Sequence, residues 1–310
     1  MTQHSSATVA EPPALSSPPT GLWWGLLGVT AFSFTVPFTR VAVEGGGMSP
    51  LFVGSARAVI AALLAAAALA ITRQRFPQGR QWLRVGVVAG GVVIGFPLLT
   101  SFALTTAPAS HGAVVIALLP AATAAMAVVR GHERPPVSFW VMATIGAAAA
   151  VTFAALQNNG LGGLQWSDLL LFGAVVAAAI GYAEGGLLAR ELGSWQTVSW
   201  ALVVALPLMI ALTGISVTQH PLTGTTVEWA AFAYLAVISM FLGFFAWYRG
   251  LAIGPMAHVS QVQLVQPVMS ICWAALFLHE DLTWPTILGG IAVIACAGIA
   301  VRVRLRQTTP

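Results

Sequence analysis

The side chains best suited to holding a small polar molecule fall in one apolar stretch towards the C-terminus: His258, Ser260, Gln261, Gln263, Gln266 and Ser270. At 100° per residue Ser260, Gln263, Gln266 and Ser270 share one stripe of a helix, whereas His258 and Gln261 point to another. Amides and hydroxyls buried in hydrocarbon are costly when unpaired. The stripe therefore faces either a cavity, offering donors and acceptors to a zwitterion's ammonium and carboxylate, or a polar helix, as interhelical glue worth about 1 kcal/mol per bond. No GxSxG, HExxH or paired-histidine helical spacing occurs, so the sequence assigns no catalytic residue, no metal ligand and no cofactor.

Aromatic rings are the next candidates. Phe34, Tyr182, Trp247, Tyr248, Phe96 and Phe102 could line a pocket that sorts cargo by its apolar part, or could be packed rings. Pro120 and Pro267 lie about twelve residues into their apolar stretches, and each removes a helical hydrogen bond, freeing the carbonyls of Ile116 and Gln263. They read as hinges, with Pro37 as a third. Three charges remain inside apolar stretches: Arg40, Arg57 and Glu184. Such a charge is a functional candidate because its insertion costs a few kcal/mol. Arg40 could attract a carboxylate or snorkel beside Glu44, and Arg57 is expected to reach the outer headgroups on its long stem in a structural role. Glu184 stands out as the carboxylate placed to exchange protons within the membrane, unless it pairs with Arg190 or Arg249 at the inner rim. Glu133 and Glu280, at the edges, read as acceptors that cap or tie neighbouring helices.

The elements that position these groups follow from composition. Only 7% of the 310 residues are charged and 58% are hydrophobic, against about 25% charged in a soluble domain. With a mean hydropathy of +0.86 the chain could not cover a water-facing surface, which excludes a soluble enzyme, a nucleic-acid binder and a disordered protein. Cys272 and Cys296 both lie deep in apolar sequence, so no disulfide framework is expected. Residues 1–20 read as a disordered tail and not as a secretory signal, since they lack a basic region. Ten apolar stretches follow, near 21–43, 50–72, 82–105, 108–129, 136–156, 167–189, 194–217, 227–250, 255–277 and 283–303, each long enough to span a bilayer as a helix. Eleven of the thirteen basic residues, all arginines, fall in the joints on one side or in the C-terminal tail. The positive-inside rule then makes both termini, including the tail 304–310, cytoplasmic.

Five helices is an odd number, so a duplicated five-helix unit inserts its second copy upside down. An offset of 147 residues maps Pro108, His111, Pro120, His132 and Glu133 onto Pro255, His258, Pro267, His279 and Glu280, and an offset of 148 relates Gly25, Ala31 and Phe34 to Gly173, Ala179 and Tyr182. The expected architecture is an all-α membrane protein of two inverted repeats, 21–156 and 167–303.

These features resemble the drug/metabolite transporter superfamily, and specifically its EamA-type members with ten helices. The residues that carry the resemblance are Ala31-Phe32-Ser33-Phe34 leading to Arg40, Ala107-Pro108 and Gly254-Pro255, mid-helix Pro120 and Pro267, and Glu133 and Glu280 after those helices. The resemblance implies an inverted-repeat carrier of small metabolites, among whose bacterial members are exporters of amino acids, including aromatic ones. The second half departs from the pattern with Leu188 where the first has Arg40. The expected function is export of small zwitterionic or amphipathic metabolites from the cytoplasm across the inner membrane by alternating access. A carrier of nucleosides or quaternary amines on the same fold is the alternative, ahead of a membrane-embedded enzyme. Expected partners are the cargo and the bilayer, with possible proton coupling and no nucleic acid. Phe34, Tyr182, Trp247, Tyr248, His258, Gln263 and Gln266 are the expected cargo contacts. A polar but uncharged cavity would favour cargo of zero net charge.

Overall fold

A computed structural model describes residues 18–131, 136–157, 165–253 and 262–308, and every regular element among them is helical. Eight helices are long and apolar enough to cross a membrane: α1 Gly21–Glu44, α2 Pro50–Ile71, α3 Gln81–Ala103, α4 Ala109–Arg130, α5 Val137–Leu156, α6 Trp166–Leu192, α7 Ser194–Gln219 and α8 Thr226–Gly250. Two more follow, α9 Val265–Leu278 and α10 Trp284–Thr308. Helix starts at the arginine-poor end are capped by local polar groups. The Ser49 hydroxyl accepts from the amide of Phe52 ahead of Pro50, and Thr225 with Glu228 forms a reciprocal capping box before α8. Asp168 closes the same kind of box with Gln165 at the start of α6.

The packing carries the internal symmetry. α2 packs along α7 and α5 along α10, each pair being the same helix of the two halves. α1 packs against the second part of α8, and α6 against α3, the exchange an inverted repeat requires. Where α3 crosses α6 only glycine fits, because a Cβ on Gly91 would lie 2.9 Å from Gly181 Cα.

Helix breaks sit in corresponding places. α1 is interrupted at Phe34, three residues before Pro37; α4 opens at Ala117–Leu118 before Pro120; α9 turns at Gln263–Leu264 before Pro267. A proline has no N–H to give and crowds the preceding turn, which accounts for all three. The structure adds two breaks that the sequence pattern does not announce. α3 winds as a π-helix over Ala89–Gly95 and α8 over Leu235–Leu242, and the 147-residue offset places one on the other. Such wide turns are rare and recur at functional sites.

Candidate functional site: the crevice between the halves

The breaks converge on two adjoining crevices, of about 30 and 10 Å³, that share Val36, Leu119 and Gln266. Both are nearly closed in this conformation, with room for about one water molecule and far short of the roughly 300–1,000 Å³ of an open small-molecule site. The larger is lined by Arg57, Thr35, Ser239, Tyr182 and the rings of Phe32, Phe96 and Phe244. The smaller is lined by Gln263, Ser270, Pro120 and Pro267, with Ile116 beside them. Ile116 and Gln263, whose carbonyls lose the proline N–H as partner, are therefore at the crevice wall, although the Gln263 carbonyl accepts from the Gln266 amide at 3.1 Å instead.

The polar stripe of α9 divides its work. The side chains of Gln263 and Gln266 are buried and have no hydrogen-bond partner among the described residues, so their amides are available to cargo. Ser270 is committed elsewhere: its hydroxyl donates to the Ser33 carbonyl at 2.7 Å. Pro37 is the residue whose N–H would otherwise serve that carbonyl, so Ser270 closes the gap left by the α1 break. The Tyr234 hydroxyl donates to Ala31 O at 3.2 Å and the Trp273 indole donates to Ser33 Oγ at 2.9 Å, completing the repair.

The aromatic candidates separate in the same way. Tyr182 lines the larger crevice, whereas its repeat counterpart Phe34 stacks on Trp273 with centroids 4.7 Å apart and planes 11° apart. Trp247 and Tyr248, expected as cargo contacts, line neither crevice and are buried in a core instead. Trp247 lies against α1, where a Cβ on Gly28 would approach its backbone nitrogen to 2.8 Å. Tyr248 stacks with Phe244 at 5.8 Å and faces Gly185 of α6. The π-helical segment just before them shifts the phase of everything that follows in α8, so an ordinary helical wheel misassigns their face. Phe96 lines the larger crevice; Phe102 is exposed on the bundle surface. His258, Ser260, Gln261, Pro255, His132, Glu133 and Arg134 lie outside the described residues.

Arg57 departs furthest from expectation. It does not reach the outer headgroups: it is 1% exposed and turns inward to the larger crevice. Its Nη2 donates to the Pro97 carbonyl at 2.8 Å. Its contacts with the hydroxyls of Thr39 and Thr100 are long, at 3.4 and 3.5 Å, and its Nε has no partner. No carboxylate among the described residues pairs with it. A charge at the centre of a spanning helix costs about 2.5–3.5 kcal/mol even by the lenient insertion scales. The cavity therefore carries a fixed positive charge, contrary to the uncharged cavity expected.

Polar ties join the two halves at three levels. At the arginine-rich end, Glu184 is 2% exposed and forms ion pairs with Arg84 and Arg130 of the first half, in place of the Arg190 or Arg249 expected. Arg84 also pairs with Glu191, and Arg249 lies over the Trp24 ring at 5.3 Å. At mid-depth the hydroxyls of Thr35 and Ser239 are 2.7 Å apart. At the arginine-poor end Glu280 accepts from the amides of Ala109 and Ser110 at 2.7 and 2.8 Å, capping α4 across the halves, and His111 meets Asp168 at 2.6 Å. Arg40 is part of the same end, donating to the carbonyls of Leu104 and Thr105 and pairing with Glu44 at 2.5 Å.

Comparison with known proteins settles what this framework belongs to. The model of the EamA-like transporter family matches twice, over residues 19–155 and 165–302. The chain belongs to the EamA-like transporter family. It is accordingly a multi-pass membrane protein of the drug/metabolite transporter superfamily. It is 42% identical over 278 residues, 90% of this chain and 96% of the other, to a Bacillus subtilis (strain 168) protein named "Uncharacterized transporter YdeK". It is 25% identical over 282 residues, 88% of this chain and 91% of the other, to a "Probable terminal-alkyne amino-acid exporter" of Streptantibioticus cattleyicolor. A solved crystal structure, 18% identical, superposes with a TM-score of 0.61 over 94% of this chain and 100% of that one, a likeness of fold.

For an EamA-like transporter the groups missed by sequence reasoning are informative. Asp168, which the sequence reading passes over, caps α6 and is also the buried partner of His111, so Glu184 is not the one carboxylate buried within the bundle. Thr35 and Ser239 are single hydroxyls in apolar text. The signal that could have found them is the repeat itself, since Ser239 is the 147-residue counterpart of Val92, and both line the larger crevice.

Proposed function

We propose that this EamA-like transporter exports small zwitterionic or amphipathic metabolites, foremost amino acids including aromatic ones, by alternating access. The observation that carries the reading is the convergence of the breaks before Pro120 and Pro267 on two adjoining crevices between the halves, with the free amides of Gln263 and Gln266 in the walls of the smaller and the rings of Tyr182 and Phe244 in those of the larger. Broken backbone is tolerated at membrane depth only where it lines a cavity or is buried in protein, and in inverted-repeat carriers cargo sits at such breaks. Amides supply the donors and acceptors a zwitterion needs, and rings select its apolar part. The name of the Streptantibioticus relative supports an amino-acid cargo. Both termini are taken as cytoplasmic in the cell's inner membrane, from the arginine-rich joints.

In this mechanism the halves rock about Pro120 and Pro267, with Pro37 easing α1, while the ties at one end break and those at the other hold. Glu184 joins coupling to gating, because a proton on its carboxyl would break its pairs with Arg84 and Arg130, leaving Arg84 held by Glu191 alone. Efflux of labelled amino acids from cells with and without the protein tests the proposal. Saturable, protein-dependent efflux is expected, and its proton dependence should vanish in Glu184→Gln. Absence of efflux of any amino acid would sink the export reading; an unchanged pH-gradient response in the variant would remove Glu184 from coupling.

A further inference from the structure

We infer that Arg57 is the anion-recognition residue of the crevice and that the cargo therefore carries a carboxylate. The inference rests on the transport reading above and narrows its substrate class. Four observations meet at this side chain. Arg57 is fully enclosed yet lines the larger crevice. Its guanidinium makes one short hydrogen bond, to the Pro97 carbonyl, and leaves Nε without an acceptor. Among the described residues no acidic side chain lines either crevice. The Pro97 carbonyl that holds it already accepts from the hydroxyls of Thr100 and Ser101, so Arg57 is held in place by a shared acceptor and not neutralised by one.

A guanidinium presents its N–H groups as a planar fork that fits the two oxygens of a carboxylate, and in a site of low dielectric such a pair is far stronger than in water. A structural arginine at this depth would be expected to have a carboxylate partner, as Glu184 has Arg84 and Arg130. Among the described residues Arg57 has no such carboxylate, and its Nε has no acceptor. With the carboxylate at Arg57, the rest of the cargo extends between Phe96, Tyr182 and Phe244 towards Gln266, which both crevices share. The site thus discriminates first on the acid group, and a cargo that keeps its amine but lacks its carboxylate meets a like charge.

The test uses the full-length purified protein in detergent, read by thermal unfolding with three probes: 3-phenylpropionate, L-phenylalanine and 2-phenylethylamine. The two acids should raise the unfolding midpoint with saturable concentration dependence, and the amine should not. In Arg57→Gln the acids should need at least tenfold more probe for the same shift, with Arg57→Lys intermediate. Equal stabilisation by the amine, or a half-saturating concentration within twofold of wild type in Arg57→Gln, would overturn the proposal. Should Arg57→Gln fail to fold, the wild-type ranking of the three probes decides alone. Binding of 3-phenylpropionate without L-phenylalanine would keep the carboxylate site and reject the amino-acid reading. L-phenylalanine and the amine bound alike would do the reverse, and no binding by any probe would reject both.

Discussion

Within the crevice, neighbouring polar residues on one helix have different tasks, and two substitutions separate them. Gln266 is shared by both crevices and has no protein partner, so Gln266→Leu should raise the half-saturating cargo concentration by about 3- to 10-fold, the worth of one neutral hydrogen bond, with the fold intact. An unchanged apparent affinity would assign Gln266 to helix packing. Ser270, one turn further on, serves the Ser33 carbonyl that Pro37 leaves unpaired. Ser270→Ala should cost about 1–3 kcal/mol of stability, seen in the thermal midpoint, and leave affinity alone; the opposite pattern would place Ser270 in the site. Residue type in the sequence identified these groups as polar and buried. It could not say which were spoken for, because the partners are backbone carbonyls exposed only once α1 breaks. Arg57 was misplaced for a related reason: a long stem permits both snorkelling and inward burial, and the Pro97 carbonyl that receives it is not visible in a hydropathy pattern.

Among the helices, hydropathy and arginine spacing made nearly all of the architecture legible. The ten stretches expected correspond to α1 through α10, and the proline breaks fall where the prolines stand. The π-helical segments of α3 and α8 were not legible, since nothing in AGGVVIG or LAVISMFL distinguishes a π turn from an α turn. They had a price for site prediction, moving Trp247 and Tyr248 into the core. The prolines themselves are testable at this scale. Pro267→Ala returns an N–H to α9 and lets its ladder close towards Gln263. Slower flux at an unchanged half-saturating concentration is expected, measured in proteoliposomes. Loss of affinity with an unchanged maximal rate would mean that Pro267 shapes the wall and does not act as a hinge.

Taken whole, the molecule is two inverted halves held by ties at both ends, and alternating access requires those ends to open in turn. The ties are unequal. At the arginine-rich end one carboxylate, Glu184, serves two guanidinium groups, one of which also pairs with Glu191, whereas the other end is held by separate contacts at His111 and Glu280. Glu184→Gln should therefore shift the population towards opening at the arginine-rich end. Labelling of Ala183→Cys, in a Cys272→Ser and Cys296→Ser background, should be several-fold faster with the Glu184 substitution, by about 1 kcal/mol or more of population shift. Equal labelling rates would show that the ion pairs do not latch this end.

The central claim is that the crevice between the halves carries small carboxylate-bearing metabolites across the membrane. Counterflow in proteoliposomes measures this most directly, with labelled L-phenylalanine outside and a panel of unlabelled amino acids, nucleosides and quaternary amines trapped inside. Protein-dependent, saturable accumulation of label driven by trapped amino acids, and not by trapped nucleosides or quaternary amines, is expected. Accumulation driven by quaternary amines or nucleosides and not by amino acids, or no saturable exchange by correctly inserted protein, would contradict it.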